Sequence, residues 1–137
     1  MEREKTKAKA KTKARHEVKI RGMEIDDIAP VFHLGERLFT SDESPNLYRT
    51  WDEYEVVEFY SSDRELCLVA EENHEVVGFV LATTIEKRHS AWKYGYLVWI
   101  GVEERFQGKN LGSRLFKEYM SLMERERVGM LLVDIEA

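Results

Sequence analysis

The stretch Ile100-Gly-Val-Glu-Glu-Arg-Phe-Gln-Gly-Lys-Asn-Leu-Gly-Ser-Arg-Leu-Phe116 decides how this chain folds. It opens on the end of a long apolar run, 94–102, whose aromatic and β-branched residues lack strict alternation and so predict a strand covered on both faces. It closes on the clearest helical pattern in the chain, 111–127, with Leu111, Leu115, Tyr119 and Leu122 on one stripe and Phe116 and Met123 beside it. Between them lie a short acidic connection and a glycine-bearing loop. A strand that runs through such a loop into a helix N-terminus makes an anion cradle. The first backbone N–H groups of the helix have no intrahelical acceptor, and the dipole favours negative charge. Gly108 and Gly112 remove Cβ where the chain turns and where phosphate oxygens come close, and Arg105, Lys109 and Arg114 add positive charge. Gly101, inside the apolar run, predicts a bulge or a place where something approaches the backbone.

Two nucleotide motifs fail at this loop. A P-loop needs four residues between its first Gly and a Gly-Lys-Ser/Thr, whereas Gly101 and Gly108 are separated by six and Asn110 follows Lys109. The dinucleotide fingerprint needs Gly-x-Gly-x-x-Gly, and only Gly108 and Gly112 are present. ATP and NAD are therefore set aside.

Outward from the loop, the chain reads as one domain preceded by an arm. Its 137 residues suit a single core, and 43% apolar with 34% charged residues is the composition of a globule. Residues 1–17 alternate Lys with Ala and Thr without an apolar face, and predict a basic, flexible arm. Val18, Ile20 and Met23 alternate as a first strand. Asp26 or Asp27 then caps a helix carrying Ile28, Phe32, Leu34, Leu38 and Phe39, and a second helix over 47–60 carries Leu47, Trp51, Tyr54 and Val57. The runs 66–70 and 76–85 predict a hairpin turning at Asn73, and 130–135 a last strand. The order over 18–137 is thus βααβββαβ, an α/β (α+β) arrangement.

No apolar stretch reaches the ~20 residues of a membrane helix, and the Lys-rich start has no apolar run behind it, so a cytoplasmic protein is expected. The lone Cys67 excludes an internal disulfide, and His33, His74 and His89 lack ligand spacing, so no metal is expected. The formal charge of −5 divides unequally: residues 1–17 carry a net +4 and the rest −9, and the excess acid lies in 24–65, twelve acids against Arg37, Arg49 and Arg64. The arm lacks the interleaved aromatics of a nucleic-acid binder and reads as a solvated tail, so no nucleic-acid partner is expected. Trp92, Tyr94, Tyr96 and Trp99 read as core, with a channel lining as the alternative.

The loop resembles the acetyl-CoA loop of the GNAT superfamily of N-acetyltransferases, whose pattern Arg/Gln-x-x-Gly-x-Gly/Ala opens a helix after a strand. Here it reads Gln107-Gly-Lys-Asn110-Leu-Gly112, with Asn110 in place of the middle Gly. Asn is the non-Gly residue most tolerant of the left-handed conformation. The whole element order agrees, which implies a mixed, mainly antiparallel sheet flanked by helices, closest to members that acetylate protein N-termini.

The resemblance implies that Gln107, Gly108, Lys109, Asn110, Leu111 and Gly112 bind the pyrophosphate of acetyl-CoA, a co-substrate, through main-chain amides, with Ser113 adding a hydroxyl. Ile100, Gly101 and Val102 would pair with the pantetheine arm, and an N–H near Val102 would stabilise the oxyanion. It implies direct attack by an amine, for which the base is Asp134 on the fifth strand or, second, Glu103. The glutamate that histone-type members use falls at Tyr96 and is not carried over.

The acceptor is expected to be a cationic primary amine: a protein N-terminus, a lysine or a polyamine. The family's later helix, tyrosine and final strands have no counterpart before Ala137. The chain is read as truncated after the fifth strand, completed by a partner such as a second copy in a homodimer, or an acyl-CoA-binding module with an interaction role.

Overall fold

The computed structural model describes residues 17–39, 51–86, 93–126 and 130–133. Residues 1–16, 40–50 with Leu47, 87–92 with His89 and Trp92, 127–129, and 134–137 with Asp134 lie outside them.

Five strands form one sheet in the order β1-β2-β3-β4-β5: β1 Lys19–Gly22, β2 Leu68–Glu72, β3 Glu75–Glu86, β4 Lys93–Val102 and β5 Met130–Val133. The first three pairings are antiparallel and β4 with β5 is parallel. The expected hairpin joins β2 to β3 through Asn73 and His74, at φ 51° and 66°. Two successive left-handed residues form the tight turn that matches strand twist.

Helices cover both faces. On one lie α1, Ile28–Phe39, and α2, Glu53–Asp63; on the other lies α3, Leu111–Arg125. Leu111, Leu115, Tyr119 and Met123 of α3 are buried against Leu68, Ala70, Val80 and Leu97, so Met123 takes the innermost place read for Leu122. Opposite, Val31 and Leu34 of α1 and Val56 of α2 meet Val69, Phe79, Leu81, Val98 and Trp99.

An aromatic layer fills this second core. Trp51 stacks on Phe79 at 5.5 Å and meets Trp99 edge-on at 5.0 Å, and Phe39 lies 4.8 Å from Trp99. The Trp51 indole donates to the Phe32 carbonyl at 2.9 Å. Gly35 makes this possible, since a Cβ there would fall inside the Trp51 ring.

The second helix departs from expectation. It starts at Glu53 because the Asp52 side chain accepts from the Glu55 N–H at 2.8 Å, and that cap sets the phase. Val56 then points inward, whereas Tyr54 and Val57 are 83% and 42% exposed. The first helix is entered through a 3-10 turn, Ile25–Asp27, whose Asp27 accepts from the Glu24 N–H at 2.8 Å. Arg21 grips that buried carboxylate with two bonds, at 2.7 and 3.0 Å, and binds Glu71 at 2.7 Å, so β1, the turn and β2 are tied at one point. Burial opposes ionisation of Asp27, but the Arg21 and Glu24 hydrogen bonds and the Arg21 charge outweigh it and hold the carboxyl below its usual range.

Among the described residues, no helix is long and apolar enough to cross a membrane, and no cluster of His, Cys, Asp and Glu suits a metal ion. Cys67 is buried, and burial pushes its thiol up to about 12, so it packs as a small apolar side chain.

Candidate functional site

The site is built where β4 ends and α3 begins. Among the described residues β4 pairs with β5 over residues 94–97, Leu97 facing Val133. Immediately beyond, the register between β3 and β4 shifts, Leu81 facing Trp99 and Ala82 facing Leu97, so Val98 is an extra residue. The bulge turns Val98 and Trp99 in succession onto the α1/α2 face. It therefore sits three residues before Gly101, where a bulge was one reading of the sequence. Gly101 pairs regularly with Phe79, and its missing Cβ answers to the other reading, close approach: a Cβ there would lie 2.7 Å from the Phe79 ring and 3.0 Å from Leu38.

Past the bulge, the outer edge of β4 is open among the described residues. The Glu103 N–H bonds back to the Val77 carbonyl of β3 at 2.9 Å. Strand polar groups alternate between edges, so the N–H and C=O groups of Val102 and Ile100 face the β5 side. The Val102 carbonyl is taken there by the Gln107 side-chain amide, at 3.1 Å. This contact could not be read from the sequence.

A 3-10 turn, Glu104–Phe106, follows, and Gln107 and Lys109 donate back to Glu104 and Phe106 at 3.1 and 3.2 Å. Gly108 then adopts φ +79° and Asn110 φ 66°, ψ 10°, the left-handed conformation that Asn tolerates best among non-glycine residues. Within α3 the first hydrogen bond runs from the Arg114 N–H to the Asn110 carbonyl, at 3.0 Å, which leaves the amides of Leu111, Gly112 and Ser113 pointing out of the helix end. Asn110 caps none of them with its side chain, in contrast to Asp52 at α2.

Neither loop glycine is there for packing. A Cβ on Gly108 would meet nothing within 4 Å, and one on Gly112 would meet only Val102, at 3.9 Å. What their absent side chains leave free is the space over the uncapped amides.

The basic side chains are deployed otherwise than expected. Arg105 bonds Glu103 at 3.2 Å and Glu72 at 3.1 Å, approaches Glu75 at 4.0 Å and lies 4.7 Å over the Phe106 ring. It fastens the loop to the β2–β3 hairpin, and Glu103 is correspondingly engaged. Arg114 donates to the Val18 carbonyl at 3.0 Å. Lys109 remains exposed over the cradle. Trp99 is buried in the α1/α2 core and Tyr96 is half-buried against it, while Tyr94 is half-buried.

A cavity of about 930 Å³ lies elsewhere, between β1, the hairpin turn and the Arg114 side of α3. Of the residues read for the cradle, Arg114 alone lines it, and none of 100–102 and 107–113 does; it sits at the β1 edge, at the other end of the sheet order from β4 and β5. The orientation of the helix amides and the edge geometry, not cavity size, locate the candidate site.

Residues 36–136 match the acetyltransferase (GNAT) family. The fold is similar to that in a crystal structure of the NatC complex bound to Gag peptide and CoA, with TM-score 0.74 and 18% identity over 88% of this chain and 76% of that one. It is also similar to a ribosomal-protein-alanine N-acetyltransferase from Brucella melitensis biovar Abortus 2308, with TM-score 0.67 and 18% identity over 88% and 81% of the two chains. Glucosamine-6-phosphate N-acetyltransferase from Arabidopsis thaliana matches with TM-score 0.62 and 20% identity over 89% and 84%. No curated protein matches by sequence.

Proposed function

The chain belongs to the acetyltransferase (GNAT) family, and we propose on that premise that residues 18–137 transfer an acetyl group from acetyl-CoA to a cationic primary amine. The observation that carries this reading is the uncapped α3 N-terminus, behind left-handed Gly108 and Asn110, set beside the β5-side edge of β4 at Ile100 and Val102, which pairs with no strand among the described residues.

Amides of Gly108 and of residues 110–113 bind the pyrophosphate, and Lys109 and the Ser113 hydroxyl lie at its margin. The outward N–H and C=O of Ile100 and the N–H of Val102 hold the pantetheine arm as a strand would, with Gly101 between them, while Gln107 engages the Val102 carbonyl and keeps the loop against that edge. When bound, acetyl-CoA supplies an activated thioester carbonyl. The outward N–H near Val102 serves as donor to the oxygen that becomes negative during attack.

An ammonium must first lose its proton, and at pH 7 an α-amine of pKa ~8 is about a tenth neutral while a lysine of ~10.4 is almost wholly charged. Asp134 is the first choice for the group that takes this proton. Glu103 is the second, and its use requires the carboxylate to part from Arg105.

The net charge of −9 over 24–65 supports a cationic acceptor. The NatC structure holds a peptide, and the Brucella and Arabidopsis enzymes are named for protein alanine and an amino sugar, so a protein N-terminus is the acceptor of first choice. The reading extends to a cytoplasmic setting and to a homodimer through the outer edge of β5, the last strand in the sheet order. Incubation of the protein with acetyl-CoA and peptides bearing free N-termini tests it. Release of free CoA thiol that stops when the peptides are N-acetylated supports transfer; binding without release makes the chain an acyl-CoA-binding module.

A further inference from the structure

At the end of the β2–β3 hairpin, Glu72 stands directly opposite Glu75. Like charges facing each other across a strand pair destabilise it. Among the described residues, the basic side chain that meets either of them is that of Arg105, 3.1 Å from Glu72 and 4.0 Å from Glu75, and it also bonds Glu103 at 3.2 Å. Glu72 is the most enclosed of these carboxylates, 12% exposed against 30% for Glu103 and 76% for Glu75, so its charge is the one water screens least.

Arg105 is the middle residue of the 3-10 turn Glu104–Phe106. Its guanidinium lies 4.7 Å over the Phe106 ring, and that ring packs against the α3 core, so the side chain crosses to the hairpin over a fixed platform. The carbonyls of Glu104 and Phe106, on either side of Arg105, accept the N–H groups of Gln107 and Lys109, and Gly108 lies between these two. The turn that Arg105 ties to the hairpin is therefore the turn that sets the first amide of the cradle. The bond from Gln107 to Val102 stays within the same connection, five residues apart, whereas Arg105 reaches back 33 residues to Glu72.

We infer that Arg105 is a positioning residue for the cofactor: by neutralising Glu72 and Glu75 it holds the loop against the hairpin, and so keeps the Gly108 turn in the shape that presents the cradle amides. The inference rests on the proposed binding of acetyl-CoA at 107–113 and adds the residue that keeps that loop in place. Arg105 acts through the hairpin carboxylates and not by touching the phosphates, so removing one of those carboxylates repairs the loss of the guanidinium. Lysine is a partial substitute, because a single ammonium does not match the fork that meets several carboxylates at once.

Titration with acetyl-CoA at about 0.15 M salt tests this, with the melting temperature of each variant recorded. Arg105→Gln is expected to weaken acetyl-CoA at least about tenfold, and Arg105→Lys, which keeps the charge and the wild-type melting temperature, about two- to fivefold. Adding Glu72→Gln to Arg105→Gln should bring the affinity back to within about threefold of wild type, because the hairpin end no longer carries opposed charges. Adding Glu104→Gln instead removes an exposed charge from the same turn, one that Arg105 does not hold, and should leave the loss as it is. Glu72→Gln alone should stay within about threefold of wild type.

Equal affinity in wild type, Arg105→Gln and Arg105→Lys overturns the inference. So does a loss that Glu72→Gln fails to recover, the mark of a merely structural contact, or one that Glu104→Gln recovers equally. Binding that tightens beyond about threefold in Glu72→Gln alone also overturns it, because Arg105 would then be a phosphate ligand set free by the change. A wild-type protein that binds no acetyl-CoA sinks the cofactor reading and the inference with it, whereas wild-type binding that survives in both Arg105 variants overturns the inference and leaves the cofactor reading standing.

Discussion

The Gln107 side-chain amide donates to the Val102 carbonyl across 3.1 Å, joining the cofactor loop to the last residue of β4. The bond takes a carbonyl on the open edge and fixes where the left-handed turn at Gly108 begins. Gln107→Ala removes an exposed hydrogen bond, for which about 0.5–1.5 kcal/mol is usual. Acetyl-CoA affinity, measured by titration calorimetry, should fall roughly two- to tenfold, and the urea midpoint should drop by no more than that stability contribution. An unchanged affinity would show that the loop is held without this bond.

Asn110 separates backbone conformation from side-chain chemistry. At φ 66° a β-branched residue costs about 1–2 kcal/mol, so Asn110→Val should lower stability by that amount and weaken acetyl-CoA binding further. Asn110→Gly, which restores the family pattern, should leave stability within about 0.5 kcal/mol and keep or improve binding. Denaturant curves and titrations of the pair check this. Loss of binding in the glycine variant would mean that the Asn side chain, not the turn, is what matters.

Gly35 and Trp51 make a stability prediction independent of any ligand. A methyl group at Gly35 would occupy the space of the indole, whose neighbours Phe79, Phe39 and Trp99 leave it little freedom. Gly35→Ala should destabilise by about 1–3 kcal/mol, and the Trp51 emission should shift towards that of exposed indole. A wild-type melting temperature would contradict the packing described for α1.

Much of this architecture was legible in the sequence, and the rest was not, for identifiable reasons. The α3 stripe of Leu111, Leu115 and Tyr119 repeats at four-residue spacing over about two turns and was placed correctly, the next member being Met123 rather than Leu122. The turn at Asn73 and the left-handed Asn110 follow from what Asn tolerates in a backbone. For α2, the spacing of Trp51, Tyr54 and Val57 put Tyr54 and Val57 inward, whereas Val56 is the buried residue, because the Asp52 cap sets the phase. The bulge at Val98 depends on pairing with Leu81 and Ala82, and Arg105 and Arg114 find partners 33 and 96 residues away. Nothing local announces such contacts. The Trp99–Glu55 bond, linking residues 44 apart, was missed for the same reason; its only trace in the sequence is two adjacent large apolar residues, Val98 and Trp99, in a strand that should alternate.

The ion cluster at β1 gives a pH dependence of defined sign. Asp27 is held below its ordinary value of 3.8, so as the pH falls the unfolded chain takes up the proton first. The stability this carboxylate contributes is full above 3.8 and is lost as the pH falls through the lowered folded value. Asp27→Asn should cost on the order of 2 kcal/mol at pH 7, and its gap from wild type should narrow below about pH 4 in urea titrations. A gap that stays constant from pH 7 to about pH 2.5 would mean that the Arg21 pairing contributes nothing.

The central claim, that the open end of α3 is an acetyl-CoA cradle, is tested most directly by thermal unfolding of wild type and Gly108→Val with and without acetyl-CoA. At about a hundred times Kd, binding stabilises by about 2.7 kcal/mol, which for a domain of this size raises Tm by roughly 10 °C. The wild type should show that rise. Gly108→Val, strained at φ +79° and filling the space over the amides, should lose most of it. No shift in the wild type at saturating acetyl-CoA, or the same shift in both proteins, would contradict the account.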